Sequence, residues 1–382
     1  MIRLTESTQD TLALLTPHPQ TSLAQTSLVA LVSGAGGDAQ ALVRRLVDDG
    51  LIRCVPQHGA PRYRPAVHTT TPRRDLVERA GDDPATLVMV LAVLERHRQD
   101  AAGAARALAV RDPHERSGLD EPVTAGASAW TPRQAARWLR HEHAALPAAH
   151  QTAYELGVDQ RDEPHPRLAA LVVELAALTW HGLHLAGEQQ ALLSMQRAAA
   201  LTAERTGHGH TGTAWARVAD ARRALGLDCG PAARRALACA GDQRSVAHAH
   251  AAMGHHHAAR GRDERARREH GLALAVDQAR QAPSWLLGAR RTAIAATWLP
   301  ARPQTALDEA LEALTLIGDG PETAVEHAQA VLVAAHAQAR LGRTGLATAV
   351  LRAAAQRLDP QVHPRRLAEL DTALTDLTTP TP

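Results

Sequence analysis

Between Ala247 and Ala275 small and bulky positions recur with the rhythm of two antiparallel helices. His250, Met253 and His257 fall at i, i+3 and i+7 on one helix face, Gly254 permits close approach of a partner helix, and Gly261 permits the turn. Ala266, His270 and Ala273 then line the returning helix. The same offsets recur at Val331, Ala334, Ala335, Gln338, Gly342, Ala347, Leu351 and Ala354. Weaker copies turn at Gly187 and Gly226, and a further pair surrounds Pro300 and carries Ala306, Ala310 and Ala313. The turn glycines 187, 226 and 261 lie 39 and 35 residues apart, and 261 to 342 is 81, or two units of about 40. A period of that size predicts an α-solenoid of about five helix pairs over 131–382. The amphipathic segment Pro364 to Leu377, with Leu367, Leu370 and Leu374 on one face, caps it, and the final TTPTP is expected to be disordered.

Residues 1–72 follow a different pattern. Gln9 to Leu15 predicts a first helix and Leu23 to Val32 a second. Asp38 is placed as N-cap of a third containing Ala41, Leu42, Leu46 and Val47, ended by Gly50. Leu51 to Val55 and Arg62 to Arg64, separated by the turn-rich Pro56 to Pro61, predict a two-stranded wing. The expected unit is a winged helix-turn-helix. In a DNA reader the third helix would present Gln40, Arg44 and Arg45 to base edges while Arg53, Arg62 and Arg64 met phosphate. Charge argues against a dedicated DNA-binding domain: residues 38–50 hold two arginines against Asp38, Asp48 and Asp49, and residues 1–80 nine arginines against seven acids. Residues 73–130 join the two parts through a helix over Pro84 to Leu108 and an exposed hinge over 110–130, after which Thr131 caps a helix starting at Pro132.

Composition narrows the chemistry. The apolar mass is mostly Ala and Leu, Phe is absent, and the only tyrosines are Tyr63 and Tyr154, so the fold class is all-α with a small β-wing. Lysine is absent, and all 42 basic residues are Arg. A Walker A loop and Schiff-base catalysis both need a lysine amine, so neither can be built. Gly34, Gly36 and Gly37 follow a helical run rather than a strand and read as a helix-turn-helix turn instead of a phosphate loop. A formal charge of +2 supplies no global attraction for nucleic acid or lipid. The apolar run Leu168 to Trp180 is too short to span a bilayer and carries Glu174, and the amino terminus lacks a signal-peptide core, so a cytoplasmic protein is expected. Cys54, Cys229 and Cys239 are isolated and expected to be packing residues.

The histidines are the main candidates for a reactive or metal site. His248, His250, His255, His256 and His257 crowd one helix, and His270 can reach His250 and His257 from the next. No HExxH or Cys/His knuckle accompanies them, and they occupy positions where the repeat places bulky residues, so they are read as core-lining rings. No GxSxG elbow occurs, and Asp48–Asp49 and Asp82–Asp83 are adjacent rather than facing one another across a helix turn. No catalytic residue, cofactor or metal is expected.

The helix-pair offsets resemble the tetratricopeptide repeat. The block LALLTPHPQTSLAQTSLVALVSGAGGDAQALVRRLVDDGLIR, the following RYRP, the Pro84 to Leu108 helix, WLRHEHAALPAA at Trp138 to Ala149 and the repeats together resemble the C-terminal half of actinobacterial STAND regulators of the SARP type. Trp138, Leu139, Glu142, Leu146, Ala148 and Ala149 carry most of that likeness. In that family an NB-ARC switch precedes a winged helix and a tetratricopeptide array. With no Walker lysine in the sequence and no NB-ARC segment ahead of the winged-helix pattern, ATP-driven switching is not expected of it. The expected function is a non-enzymatic adaptor binding a peptide or protein on its concave face, with Arg217, Arg223, Arg290 and Arg291 clamping a partner carboxylate. The alternatives are a DNA-binding regulator whose solenoid senses an effector or forms a homodimer, and a metal-dependent protein using the His250 cluster.

Overall fold

The computed structural model describes residues 2–16, 22–33, 39–57, 60–66, 73–108, 130–159, 161–320 and 323–378. The expected hinge, the glycines 34, 36 and 37, Asp38 and the last four residues lie outside them. The chain divides into two compact units, one of Met1–Ala107, Glu121–Leu183 and Ser194–His208, the other of Leu108–Asp120, His184–Leu193 and Gly209–Pro382.

The first unit opens with α1 (Ile2–Leu15), β1 (Leu23–Ala24), α2 (Gln25–Ser33), α3 (Ala39–Asp48), β2 (Ile52–Gln57) and β3 (Ala60–Pro65). The three strands form an antiparallel sheet in the order β1-β3-β2. The second helix therefore starts later than its pattern predicted: Leu23 and Ala24 pair with Tyr63 and Arg62 as strand instead. Leu12, Leu15, Leu28, Leu31, Val43, Leu46 and Ile52 are buried as its apolar core. Then come α4 (Arg73–Asp82), α5 (Pro84–Leu108), α6 (Pro132–Glu142), α7 (Ala145–Tyr154) with a π-helical turn over Glu155–Asp159, and α8 (Pro166–Ala186). Thr131 and Gln134 complete the capping box that starts α6.

The division expected at residues 72 and 131 is bridged within this unit. Arg62 on β3 is 3% exposed; its Nη1 and Nη2 donate to both oxygens of Glu142 on α6, at 2.7 and 3.2 Å, and its Nε donates to the Ser22 hydroxyl. His97 of α5 lies 3.1 Å from the Ser27 hydroxyl and 3.9 Å from Glu142. Arg73 donates to Glu155, Thr152 and the Leu14 carbonyl, tying α4 to α7 and α1. Helix α8 is longer than the run read from its sequence. Its 21 residues suffice by length and composition to cross a membrane, although 72% of the apolar window is buried in the protein.

In the second unit the helices alternate direction: α9 (Gln189–Thr206, which begins in it), α10 (Thr211–Ala224), α11 (Gly230–Ala238), α12 (Gln243–Ala258), α13 (Asp263–Ala279), α14 (Ser284–Trp298), α15 (Pro303–Ile317), α16 (Ala324–Arg340), α17 (Thr344–Gln356) and α18 (Pro364–Thr378). These are successive helical repeats. Gly187, Gly226, Gly261 and Gly342 all take positive φ, as their spacing required, and Gln281 takes it between α13 and α14 where no glycine is available. The pairs interlock small residue against large. A Cβ on Gly254 would stand 2.5 Å from the His270 ring, and one on Gly288 would meet Ile317 and the Ala313 carbonyl. Ala295, Ala306, Ala310, Ala334 and Ala337 fill the seam between later pairs. Helix α18 packs Leu370 and Ala373 on the last pair, and its Arg365 returns to His184 and Gly187 at the first turn of the unit.

Two consequences are measurable by urea unfolding. Glu142→Ala leaves the Arg62 guanidinium buried without its carboxylate and is expected to cost about 3–5 kcal/mol, the range for removing one partner of a buried pair; a loss below 1 kcal/mol would show the pair to be hydrated. Gly254→Ala is expected to cost about 1–3 kcal/mol by overpacking, and most of that loss should disappear in a His270→Ala background.

Candidate functional site

The helices α10, α12 and α14 bring charged side chains into one neighbourhood inside the second unit. On α12 Arg244, His248 and His255 share a face by helical period, with the buried Ala251 between them in the same stripe. Arg217 and Asp220 come from α10, with Arg223 one turn further on, and Arg290 comes from α14. Asp277, fully buried near the end of α13, accepts from Arg280 at 2.7 Å and from Arg290 at 2.8 Å, so one carboxylate orients two guanidinium groups. The Arg290 Nη2 is buried and has no hydrogen-bond partner among the described residues.

The histidines register the field of these arginines. Burial, and then Arg290, Arg217, Arg280 and Arg244, drive the His248 pKa well below the ordinary value. Burial, followed by Arg223, His270 and Arg290, does the same to His255. His270 is lowered to about 4 by burial with Arg290 and Arg223, and His184 to about 3 by burial with Arg365, Arg366 and Arg223. In every one of these rings the charges that add to burial come from arginines, joined at His255 by the neighbouring His270 ring. Asp220 moves the other way: loss of water raises its pKa despite Arg223, Arg290 and Arg217. His184, Asp220, His248 and His255 each keep part of their surface exposed while being desolvated by the surrounding protein, the signature of side chains lining a concavity.

Three of the four arginines expected to form a clamp meet in this field. Arg217 is 4% exposed, Arg290 is held by Asp277, and Arg223 is exposed at the edge. Arg291 does not join them. One residue on from Arg290 and rotated away, it pairs with Glu309 and Glu312 of α15 at 2.9 and 2.8 Å. Arg244, Arg280, Asp220 and Asp277 were missed; the i, i+4, i+11 spacing of Arg244, His248 and His255 was the available signal.

The trio of His250, His257 and His270, which only the alternative metal reading required, is not assembled among the described residues. His250 pairs with Glu269 at 2.8 Å, His270 stacks edge-on against His255 at 4.8 Å, and His256 packs over Gly230 beside Cys229. No group of three His, Cys, Asp or Glu able to hold a metal occurs among the described residues.

On the N-terminal module Gln40, Arg44 and Arg45 are exposed along α3 while Val43 and Leu46 face inward. Arg53 is exposed on β2 and Arg64 opposite it is half-buried. Arg62, expected on phosphate, is instead consumed internally by Glu142 and Ser22, because its side chain points to the buried side of β3.

No protein-family model matches the chain. No curated protein matches it either. Among solved structures it is similar to a signal transduction ATPase with numerous domains (STAND) carrying a tetratricopeptide-repeat sensor, from Pyrococcus horikoshii, at 11% identity and a TM-score of 0.42, over 97% of this chain and 53% of that one. The chain thus spans about half the length of that protein. It is also similar to a Rap protein complexed with competence and sporulation factor, at 12% identity and a TM-score of 0.36, over 80% of this chain and 90% of that one.

Acid sensitivity follows from the buried imidazoles. His150, which lies 2.8 Å from the Val172 carbonyl, and His270 both titrate near 4 in the folded chain and near 6.5 when unfolded. Unfolding takes up protons between those values, so their contribution to stability is complete above about pH 6.5 and is lost as pH falls toward 4. Each should contribute a slope of about 1.4 kcal/mol per pH unit in that window. Urea midpoints measured from pH 7 to 4.5 should show it, and His150→Gln with His270→Gln should reduce the slope by the share of those two rings, leaving that of His184, His248 and His255; a pH-independent wild type would refute the assignment.

Proposed function

We propose that this chain is a regulatory adaptor rather than an enzyme, binding a peptide or protein segment inside its helical-repeat unit. The N-terminal module is read as a winged helix that serves as output or anchoring module, after the pattern of STAND regulators. The observation that carries the reading is the arginine-lined inner face, where Asp277 fixes Arg280 and Arg290 and the rings between them are held neutral. Pre-oriented guanidinium groups suit recognition, because little side-chain entropy remains to be lost when a partner docks. The chemistry present serves binding better than turnover: the histidines that would act as bases have pKa values pushed away from neutrality, and Cys229 is buried with its thiol pKa raised.

A second reading has its own observation. Helix α3 exposes Gln40, Arg44 and Arg45 on one side, with Arg53 exposed on β2, and a DNA-binding regulator would use these groups. Asp48 and Asp49 at the end of α3 and the internal engagement of Arg62 weaken the phosphate-facing charge.

One experiment separates the two. Full-length protein is purified from its host under native conditions, and bound polypeptide and nucleic acid are both quantified, for the wild type, Arg244→Gln/Arg290→Gln and Arg44→Ala/Arg45→Ala. The adaptor reading expects a stoichiometric polypeptide that falls about tenfold in the first variant and is unchanged in the second. Duplex DNA that depends on Arg44 and Arg45, with no polypeptide sensitive to Arg244 and Arg290, would replace it with the DNA-binding reading.

A further inference from the structure

The inner face is enclosed as well as basic. Helix α18 closes the run of pairs: Arg365 Nη1 lies 3.5 Å from His184 Nδ1, and the Arg365 stem would meet a Cβ on Gly187 at 3.6 Å. The last helix of the unit is thereby in contact with its first turn. Arg223 acts electrostatically on His255 and His270 on one side and on His184 and Arg366 on the other, so the basic surface continues from Arg290 round to α18. An enclosed surface of this kind admits an extended segment more readily than the face of a folded protein.

Charge then selects among segments. Asp277 is already shared by two arginines, and Asp220 is pushed toward protonation even with three arginines nearby. The buried Nη2 of Arg290 has a hydrogen-bond donor unsatisfied among the described residues. A buried donor without an acceptor costs free energy until a ligand supplies one. His270 Nδ1, 1% exposed as a residue, is likewise without a partner among the described residues and sits in the same field.

We infer that the segment bound inside the repeat unit is an extended acidic peptide, one of whose carboxylates is received by Arg290 and Arg244 beside His248. This deepens, and rests on, the reading of the unit as a peptide binder. A guanidinium fork accepts a carboxylate bidentately, and the enclosed position strengthens the pair relative to one in open water. The leading competitor for the same groups is a phosphate oxyanion. Trp215 and Trp298, which a nucleotide base could stack on, are instead covered by Arg235 and by Arg267 with Arg302.

The test is selection of phage-displayed random decapeptides against the full-length chain, followed by affinity measurement on the selected peptides. The expected result is enrichment of Asp and Glu. Exchanging one key peptide carboxylate for its amide should weaken binding about tenfold, as should Arg290→Gln or Arg244→Gln in the protein, while Arg291→Gln, whose ion pairs face α15, should leave it within about twofold. Thermal melts of each variant separate loss of the site from loss of the fold. Enrichment of peptides without acidic residues would overturn the acidic assignment and leave peptide binding standing. Absence of any enriched peptide would overturn both. Displacement of the acidic peptides by inorganic phosphate, at concentrations where acetate has no effect, would show that the oxyanion preferred is phosphate and overturn the carboxylate assignment.

Discussion

The repeat unit depends on helices approaching closely enough to be held by alanine, and that approach depends on glycine standing opposite a bulky ring or branched chain. Gly254 receives His270, Gly230 receives His256, and Gly288 receives Ile317. A chain without Phe has few large side chains to fill wider gaps, so packing density is reached by bringing backbones together and fitting imidazole into the resulting notches. Everything functional follows from that register. With α12 held in that register, Arg244, His248 and His255 fall in one half-exposed stripe with the buried Ala251 between them. Histidine here is first a space-filling residue, and its titration is a consequence of where it packs.

The first unit rests on a different device. Arg62, Glu142, Ser22, His97 and Ser27 join a strand, α6, α5 and the start of α2 through one buried polar network. A buried ion pair contributes less to stability than to specificity, because the Coulomb attraction mostly offsets the loss of water. What it supplies is placement: β3 can take up only the position in which Arg62 reaches both oxygens of Glu142. The same contact removes from the surface a cation that a strand pattern alone would assign to it.

These two devices explain what could be read from the residues and what could not. Periodic features were legible: the helix pairs, the positive-φ glycines at 187, 226, 261 and 342, the Thr131 cap and the extent of the Pro84 to Leu108 helix all express local geometry. Leu23 and Ala24 were misread as helix because their strand state is imposed by pairing with Tyr63 and Arg62, forty residues away. Arg62 was misread because alternation along a strand says which residues share a face but not which face is buried. Arg290 and Arg291 were grouped by adjacency although neighbours on a helix point about 100° apart, and only the position of Glu309 and Glu312 shows which one turns away. Asp277 was overlooked since a single acid near a helix end carries no pattern. Its importance comes entirely from the two arginines that converge on it.

The histidines of the inner face turn this arrangement into a coupled one. His248, His255 and His270 are kept neutral by burial together with cations, so a bound anion would act on them with the opposite sign and draw their pKa values upward. By linkage the reverse would also hold: protonating a ring would add a positive charge to the face and tighten its grip on such an anion. The arginines alone would give an anion site indifferent to pH across the physiological range, because a guanidinium does not titrate there. Placing imidazoles among them would add a pH dependence to such binding, weighted toward acid, that opposes the pH dependence of stability arising from the same residues. Acid would therefore favour an anion-bound form of this face while weakening the scaffold that forms it, and the balance between the two would be set by how far the anion raised the His270 pKa above about 4.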